Sequence, residues 1–395
     1  MRYAAITDRL QGLGGAKWEI HTLARALKAQ GKPVIELTIG EPDVATPEAM
    51  LTAAKAGISA GRLGYSNGQG EPVLLQALAE KYTARSGRPV GPDQVAALPG
   101  TQTALFAVML TLLGPGDEVI VGDPMYATYE GIIASTGARA IPVALRPEAG
   151  FRLQAADVAA KITPRTRVLF LNTPHNPTGA VLRDADLHAL GDLARQHDLW
   201  IVSDEVYEQL VFPGAVFRSP FDRADMAGRV VVTSSISKSH AAPGFRSGWA
   251  VGPAEFVQRL LPLAEAMLFG NQPFIADMTA LAISQPSPVA PGMAERFARR
   301  AGLVRARLDG ILGLAVPMPE AGMFAVVDVR ALGQSGSCFA KALLTETGVA
   351  VMPGESFGAG LAGWVRISLT QEDAVIDEAC TRILTFAKAH DGTAA

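Results

Sequence analysis

Charge, cysteine and long apolar runs are all scarce in this 395-residue sequence. Only 18% of the residues are charged, the net charge is −3, and the basic residues form no cluster of the kind that binds nucleic acid or an anionic membrane. The longest apolar run, ALFAVMLTLLG, has about half the length that a membrane-spanning helix needs. We therefore expect neither nucleic acid nor a membrane among the partners of this protein.

The two cysteines, Cys338 and Cys380, are too few and too far apart for a disulfide framework or a zinc motif, and they fit a reducing compartment. The six histidines show no metal-ligand spacing such as H-E-x-x-H. The first residues, MRYAAITDRL, contain no long apolar segment after the charged residue and so predict no signal peptide. The expectation is a cytoplasmic protein without a bound metal.

Apolar residues and chain length are what the sequence has in quantity. Hydrophobic residues make up 49% of the chain, and 395 residues exceed what one small core usually holds, which predicts two domains. Short β-rich runs alternate with segments of helical periodicity, and these runs lie at 95–98, 118–122, 167–172, 199–204, 229–235 and 248–252. This alternation predicts an α/β fold built on a mostly parallel sheet.

The C-terminal part of the chain has a different pattern. Helix-period regions near 293–312 and 337–347 are separated by a strand-like run at 322–330, which is typical of an α+β domain. The proline-rich stretch SQPSPVAPG, at 284–292, is the predicted boundary. We expect a large domain over 46–285 and a small domain over 290–395.

Ligands of parallel sheets bind beyond the carboxyl ends of the strands, so the residues after each predicted strand are the first candidates for a site. PGTQ, at 99–102, opens a helix whose first N–H groups suit a phosphate, although Gly-Thr is also a common helix cap. TPHNPTG, at 173–179, fixes the backbone around Asn176 with two prolines and fits a rigid loop equally well.

The two following strand ends carry ionisable groups. Asp204 ends an apolar strand, where a buried carboxylate needs an arginine, a helix N-terminus or a protonated ring nitrogen of a ligand. Lys238 is either an amine nucleophile of depressed pKa or an ordinary surface lysine, and Arg246 is a candidate phosphate clamp. Together with Tyr207, these groups match the needs of pyridoxal phosphate: an amine, an acid for the ring nitrogen, donors to the ring hydroxyl and a phosphate cradle.

The sequence resembles the class I aminotransferases, which are fold-type-I pyridoxal-phosphate enzymes. The resemblance covers nearly the whole chain through the motifs IGEPDVATP, YSNGQGEPVLLQALAEKY, PGTQ, PGDEVIVGDPMYATY, NTPHNPTGAV, SDEVYE, SSISKSHAAPGFRSGW, GMFAVVD, GVAVMPGESFG and VRISL, in family order. It implies a seven-stranded, mostly parallel sheet sandwiched by helices, with the N-terminal segment 1–45 joining a smaller α+β domain. It also implies a homodimer that acts on amino acids and 2-oxo acids.

The resemblance further implies a role for each matching residue. Lys238 would hold pyridoxal 5′-phosphate as an internal aldimine and move the proton in a ping-pong exchange between an L-amino acid and a 2-oxo acid. Asp204 would keep the ring nitrogen protonated. The other implied contacts are Tyr207 and Asn176 on the ring hydroxyl oxygen, Tyr126 on the ring face, Ser235, Arg246 and the backbone of Thr101 and Gln102 on the phosphate, Tyr65 on the phosphate of the neighbouring subunit, and Gly40, Asn176, Arg366 and Trp18 around the substrate, with Arg366 on its α-carboxylate.

The identity of the amino donor is the next question. Gln102 stands where an aspartate-specific branch of the family has a lysine, which disfavours dicarboxylate recognition by that route. The run MRYAAITDRLQGLGGAKWEIHTLARAL, with SKSHA and MLFG, is most similar to the arginine–pyruvate transaminase branch and implies a basic or long donor with pyruvate as acceptor. Trp18 is then either a pocket wall or a residue packed on the small domain, and Glu19 either meets a cationic side chain or faces water.

Three alternatives remain at this point. The same residues serve lyases and other carbon–nitrogen or carbon–sulfur chemistry on this fold. Ser235-Ile-Ser-Lys238 formally matches S-x-x-K, the signature of acyl-serine hydrolases, but the partner motifs S-D-N and K-T-G are absent. A transcriptional regulator with an aminotransferase-like module would need a DNA-binding extension, for which the resemblance leaves no room.

Overall fold

The computed structural model of the protein describes residues 2–268 and 270–390. Its strands are β1 (Ile35–Leu37), β2 (Val95–Leu98), β3 (Glu118–Asp123), β4 (Arg139–Ala144), β5 (Thr166–Asn172), β6 (Trp200–Asp204), β7 (Val230–Ser235), β8 (Gly248–Val251), β9 (Phe324–Asp328), β10 (Val349–Pro353) and β11 (Trp364–Ser368). Phe269, in the MLFG stretch, lies outside the described residues.

The α-helices are α1 (Ala5–Arg9), α2 (Glu19–Ala29), α3 (Glu48–Ser59), α4 (Pro72–Ser86), α5 (Gly100–Leu112), α6 (Tyr129–Ser135), α7 (Ala155–Ala159), α8 (Asp184–Gln196), α9 (Ile236–Ser239), α10 (Ala254–Met267), α11 (Pro273–Ile283), α12 (Ala290–Leu308), α13 (Gly336–Thr347) and α14 (Asp373–Ala389). The proline-rich stretch at 284–292 follows α11 and runs into the first turn of α12.

The larger sheet has seven strands in the order β2-β8-β7-β6-β5-β3-β4. Strand β8 runs antiparallel to both of its neighbours, and the other pairs are parallel. Adjacent residues of its central strands enter apolar cores on opposite faces, as Ile201 and Val202 of β6 do. Burial on both faces explains the continuous apolar runs in the sequence, and the predicted α/β fold with a mostly parallel sheet is confirmed.

The smaller sheet has four strands in the order β1-β10-β11-β9. Strand β1, from the N-terminal part of the chain, pairs in parallel with β10, so that Ile35 lies opposite Val349. A separate apolar core joins Ile20 and Leu37 to residues of α12, α13 and α14, among them Phe297. The N-terminal segment thus contributes both a strand and core side chains to this second α+β unit.

The register of the large sheet brings the polar strand ends together. Asn172 at the end of β5 lies opposite Asp204 at the end of β6, and Asp204 lies opposite Thr233 in β7. Strand β7 ends at Ser235, whose hydroxyl accepts the Ser237 N–H and caps the single turn of α9. Three neighbouring strands therefore deliver side chains to the same edge of the sheet.

Candidate active site

A cavity of about 240 Å³ lies at this edge, between the large sheet and the smaller unit. It is lined by Trp18, Ile39, Gly40, Thr101, Gln102, Leu105, Tyr126, Tyr129, Asn176, Asp204, Val206, Tyr207, Ser235, Ser237, Lys238, Pro243, Arg246, Phe324 and Arg366. The structure thus brings together every site residue expected from the sequence except Tyr65.

Lys238 projects from α9 toward the N-terminal segment. Its Nζ donates a 2.6 Å hydrogen bond to the carbonyl oxygen of Gly40. Burial lowers the pKa of this amine to about 8, and the cations of Arg366 and Arg246 act in the same direction, whereas Glu41 opposes them. A pKa of about 8 leaves about a tenth of the amine neutral at pH 7, far more than for an ordinary lysine, and this neutral form is the nucleophile or proton acceptor.

Asp204 is buried, and both of its carboxylate oxygens accept hydrogen bonds. Tyr129 donates its hydroxyl to Oδ2 at 2.7 Å, and the backbone N–H of Val206 donates to Oδ1 at 3.2 Å. Burial raises the pKa of Asp204 to about 6, while these two hydrogen bonds oppose the rise. No arginine or lysine side chain is among its described contacts, so a cationic ring nitrogen of a ligand would stabilise the ionised carboxylate.

Tyr207 and Asn176 lie together on the cavity wall. Burial raises the pKa of the Tyr207 hydroxyl, and a hydrogen bond with the Asn176 side chain acts in the opposite direction. The backbone N–H of Asn176 donates to Asn172 Oδ1 at 2.8 Å, and Asn172 Nδ2 donates to the carbonyl oxygen of Asp204 at 3.1 Å. Asn172 therefore fixes the loop that carries Asn176 against the end of β6.

Arg366 is only 1% exposed. Its Nη1 donates to Asn176 Oδ1 at 3.0 Å and its Nη2 donates to the Thr38 carbonyl oxygen at 2.6 Å. The guanidinium carbon lies 3.8 Å from the ring centre of Phe324 and 4.4 Å from that of Phe357. Burial lowers its pKa to about 10, and Nε is buried without a hydrogen-bond partner among the described residues, which suits a carboxylate ligand.

A second part of the cavity is suited to a phosphate. Thr101 lies in the first turn of α5, and its hydroxyl is buried without a hydrogen-bond partner in the described part of the chain. Gly100 has φ +82°, and a Cβ there would lie 2.1 Å from Arg246 Nη2, so only glycine lets the guanidinium approach this helix end. Ser235 lines the same region.

Trp18 and Gln102 form part of the outer wall of the cavity. Trp18 contacts His21 edge-on at 6.4 Å between ring centres, and Lys17 beside it pairs with Glu130 at 2.8 Å. Gln102 Oε1 accepts a 3.0 Å hydrogen bond from the hydroxyl of Thr128. Trp18 is therefore placed as a pocket wall by the N-terminal segment.

Glu19 lies away from the cavity wall and pairs with Lys341 at 2.9 Å, both side chains being well exposed. Of the two readings of this residue, the structure favours the one in which it faces water.

Tyr65 lies on the surface, 94% exposed, outside the cavity of its own chain. Its neighbours in a surface depression are Leu63, Ser66 and Asn271. Leu63, in the same depression, is also an exposed apolar side chain. The placement excludes a role for Tyr65 inside its own cavity and leaves the predicted role in a neighbouring subunit as a proposal.

Two contacts of the site are not predicted from the sequence. Tyr129, the partner of Asp204, belongs to the motif GDPMYATY, and Phe357, which packs against Arg366, belongs to GVAVMPGESFG, but the motifs alone assign neither residue a role. The sequence signal that could have identified Tyr129 is its position three residues after the candidate Tyr126, at the start of α6. No sequence pattern singles out Phe357, whose contact with Arg366 exists only in the folded chain.

Comparison with known proteins decides the family. The family profile of aminotransferase class I and II matches residues 32–383. The chain belongs to this family. An arginine–pyruvate transaminase from Pseudomonas aeruginosa is 45% identical to this aminotransferase over 383 residues, covering 97% of each chain. An aspartate/prephenate aminotransferase from Cereibacter sphaeroides is 36% identical over 92% of this chain and 93% of that one.

Solved structures of aspartate aminotransferases share the fold of this aminotransferase. The enzyme from Rhizobium meliloti superimposes with a TM-score of 0.92 at 31% identity, over 98% of this chain and 99% of that one. The Thermus thermophilus enzyme with maleate gives a TM-score of 0.90 at 32% identity, over 98% of this chain and 100% of that one. These likenesses extend over both sheets.

The described parts of the chain contain neither a membrane-spanning helix nor a cluster of metal ligands. No helix within 2–268 and 270–390 is both long and apolar enough to cross a bilayer. Within the same ranges, no three histidine, cysteine, aspartate or glutamate side chains are grouped as metal ligands.

Proposed function

We propose that this protein is a pyridoxal-phosphate-dependent aminotransferase that moves an amino group between an L-amino acid and a 2-oxo acid in a ping-pong reaction. The observation that carries the proposal is the convergence of a partly neutral lysine, a buried carboxylate and a buried arginine in one cavity: Lys238, Asp204 and Arg366. Family membership supports the same reaction class.

The residues present fit the cofactor. When bound through its aldehyde to Lys238, pyridoxal phosphate supplies an electron sink for the bonds of the substrate α-carbon. The buried Thr101 hydroxyl, Ser235 and Arg246 are the groups that would hold its phosphate. Asp204 would hold the proton on the ring nitrogen, and its raised pKa would fall beside that cation.

Each remaining polar group of the cavity would act on a particular atom of the cofactor or the substrate. Tyr207 and Asn176 would donate hydrogen bonds to the ring hydroxyl oxygen, and Tyr126 would cover the ring face. Lys238, once its Nζ is released, would take the proton from the substrate α-carbon and deliver it again. The pKa of about 8 suits this role, because a base works best when its pKa lies near the operating pH.

Arg366 would bind the α-carboxylate that amino acids and 2-oxo acids have in common. Its Nε, buried without a hydrogen-bond partner among the described residues, and its planar guanidinium favour a two-pronged pair with a carboxylate. A single carboxylate site serves both half-reactions, because donor and acceptor occupy it in turn. Gly40 would line the same space through its backbone.

For the donor, we propose a basic or otherwise long amino acid, with pyruvate as acceptor. The 45% identity to an arginine–pyruvate transaminase supports this choice. The outer wall presents the Trp18 indole and the neutral amide of Gln102. The cations among the described wall residues, Lys238, Arg246 and Arg366, have other tasks, so a second substrate carboxylate finds no dedicated partner there.

The active unit is proposed to be a homodimer in the cytoplasm. The exposed Tyr65 ring, with Leu63 beside it, is a surface that a second copy would cover. Tyr65 would then reach the phosphate of the neighbouring subunit. Both cysteines are free, one exposed and one buried, as a reducing compartment allows.

The test is a donor and acceptor panel with the purified, cofactor-loaded enzyme. Arginine, lysine, alanine and aspartate are each mixed with enzyme, and the loss of the visible absorbance of the lysine-bound cofactor ranks the first half-reactions. Pyruvate, 2-oxoglutarate and oxaloacetate are then compared as acceptors. We expect arginine or lysine with pyruvate to be fastest, and Lys238→Ala to lose both the absorbance band and turnover.

Two outcomes would refute the proposal. Substantial transamination by Lys238→Ala would rule out the assigned role of this amine. Release of pyruvate and ammonia from cysteine-type substrates, without transfer of the amino group, would assign the protein to the lyases instead. In the acyl-serine alternative, Ser235 would carry a covalent acyl group, but its hydroxyl caps α9 and Lys238 bonds Gly40.

A further inference from the structure

Charged side chains collect behind the turn that follows β6, on the side away from the cavity. Asp204 and Tyr207 of this turn line the cavity. Glu205, which is fully buried, and Glu208 each come directly after one of these two residues in the chain. Both glutamates contact helix α4 instead of the cavity. The two sets of side chains therefore share one short stretch of backbone, and a shift of either set moves the other.

The contacts behind the turn form a connected cluster, which we call the turn cluster: Lys81, Arg85, Glu205, Glu208 and Asp222. Arg85 Nη1 donates to Glu205 Oε2 at 2.9 Å and to Glu208 Oε2 at 2.7 Å. Lys81 Nζ donates to Glu208 Oε1 at 2.6 Å. Arg85 Nε donates to Asp222 Oδ1 at 2.8 Å.

The backbone of the turn is tied to the same region. The N–H of Glu205 donates to the Thr233 carbonyl oxygen of β7 at 2.9 Å, and the N–H of Glu208 donates to the Glu205 carbonyl oxygen at 2.9 Å. The hydroxyl of Ser219 donates to the Glu205 carboxylate. Both glutamates are therefore fixed at backbone and side chain, as a geometric support requires.

Stability alone is a poor explanation of this arrangement. Apolar side chains of similar volume often stabilise a fold as well as a buried ion pair does, because ions lose their hydration on burial. What a planar guanidinium supplies, with Nη1 on Glu205 and Glu208 and Nε on Asp222, is fixed distance and direction. That property matters here because Asp204 and Tyr207 must meet particular atoms of a ring.

The ionisation states of the two glutamates indicate which of them is the better residue to substitute. Although burial opposes it, Lys81 and Arg85 hold the pKa of Glu208 below its usual value. Burial raises the pKa of Glu205 to about 7, while Arg85 opposes the rise. Glu208 therefore stays ionised at neutral pH, and its neutralisation removes a charge that both Lys81 and Arg85 face.

We infer that Arg85 and Glu208 are positioning residues for catalysis, which hold the 204–208 turn so that Asp204 and Tyr207 address the cofactor ring. The inference rests on the proposed function. In this proposal, no residue of the turn cluster contacts the cofactor or the substrate directly. Lys81, Arg85 and Glu208 affect catalysis only by holding the turn in place.

Glu208→Gln in the cofactor-loaded enzyme is the primary variant. Misplacement of Asp204 and Tyr207 should lower kcat by roughly ten- to a hundredfold. The KM of the donor should change little, because Arg366 is untouched. The pH titration of the visible absorbance of the bound cofactor should move to higher pH, because a displaced Tyr207 stabilises the ionised ring hydroxyl less. Lys81→Met should give the same changes in weaker form.

Glu118→Gln is the matched control. Glu118 is 1% exposed and accepts a 2.9 Å hydrogen bond from Arg165 Nη2, but it begins β3, at the opposite edge of the sheet. Its neutralisation should lower the melting temperature while kcat and the absorbance midpoint stay at wild-type values. Arg85→Lys, which keeps a cation opposite both glutamates, should retain more activity than Arg85→Met.

The possible results distinguish a failure of this inference from a failure of the proposed function. If Glu208→Gln and Lys81→Met only lower the melting temperature, as the control does, the turn cluster is structural and the inference is wrong. If Glu208→Gln does not fold, Lys81→Met and the two Arg85 variants decide the question by the same readouts. If the wild-type enzyme itself transfers no amino group, the proposed function is overturned and the inference with it.

Discussion

Lys238 and Gly40 lie 198 positions apart in the chain, yet the lysine Nζ donates a 2.6 Å hydrogen bond to the glycine carbonyl oxygen. Two residues earlier, the carbonyl oxygen of Thr38 accepts a 2.6 Å hydrogen bond from Arg366 Nη2. One short stretch of backbone from the N-terminal segment therefore touches both the amine and the proposed carboxylate clamp. Displacement of that stretch should disturb both groups at once.

Gly40→Ala tests this coupling. A Cβ at this position would lie 2.3 Å from the ring of Phe324, so the backbone or the ring must shift. We expect kcat/KM to fall by roughly a hundredfold, because small displacements at reacting groups are costly. Steady-state kinetics is the measurement, and Gly14→Ala, whose Cβ would meet no atom of the described residues within 4 Å, is the control. Wild-type kinetics in Gly40→Ala would contradict the coupling.

The pH dependence of cofactor attachment should report the Lys238 amine. Burial lowers its pKa to about 8, so the neutral, reactive amine accumulates as the pH rises through that value. The rate at which the apoenzyme takes up pyridoxal phosphate, followed by visible absorbance, should rise with a midpoint near pH 8. Glu41→Gln removes a charge that raises the lysine pKa and should move the midpoint to lower pH. A midpoint near the ordinary lysine pKa would refute the assignment.

Tyr129→Phe removes the hydroxyl that donates to Asp204 at 2.7 Å. Because this hydrogen bond opposes the rise in the Asp204 pKa, its loss should raise that pKa further and weaken the hold on a cationic ring nitrogen. We expect the Kd of pyridoxal phosphate to increase by about tenfold, which corresponds to one buried hydrogen bond.

Thr166→Val is the control for this prediction. The buried Thr166 hydroxyl accepts a 2.9 Å hydrogen bond from the Thr163 N–H at the start of β5, and Thr166 is not among the residues that line the cavity. Its loss should lower the melting temperature with little change in cofactor affinity. Equal loss of affinity in the two variants would mean that Tyr129 acts through general stability.

Gln102→Lys tests the proposed donor class. A lysine at this place would add a cation to the outer wall, beside Thr128, which now donates to Gln102 Oε1 at 3.0 Å. We expect activity with aspartate or 2-oxoglutarate to rise at least severalfold and activity with arginine to fall, because like charges repel. The ratio of kcat/KM for the two donors is the measurement. An unchanged ratio would show that this position faces neither donor.

Much of the large domain could be predicted from sequence because its central strands are buried on both faces and read as continuous apolar runs. Strand β4 (Arg139–Ala144) is not predicted, for the opposite reason: it lies beside β3 at the end of the strand order, is partly exposed and contains Pro142. At an edge, a strand loses the apolar continuity that identifies it. The small-sheet pairing of Ile35 with Val349 also joins segments too distant for any local pattern to indicate.

The candidate site divides in the same way. Asp204, Asn176 and Lys238 could be found because parallel strands end at one edge, so polar residues after strands become neighbours. Glu205 and Glu208 could not be given a role, because their partners on α4 lie more than a hundred positions earlier in the chain. Charge in a sequence indicates exposure by default, and only the folded contacts show that these charges are buried.

The two aromatic rings against Arg366 have a stereochemical consequence. Phe324 and Phe357 pack against the guanidinium, and its Nε has no hydrogen-bond partner among the described residues, so a carboxylate would bind at the Nε edge. An amino acid held there would have the plane of its carboxylate fixed by the guanidinium, with its α-carbon inside the cavity that Lys238 lines. In a D-amino acid, the α-hydrogen and the side chain exchange places, so the hydrogen would point away from Lys238. We therefore expect D-amino acids to bind as inhibitors without being converted.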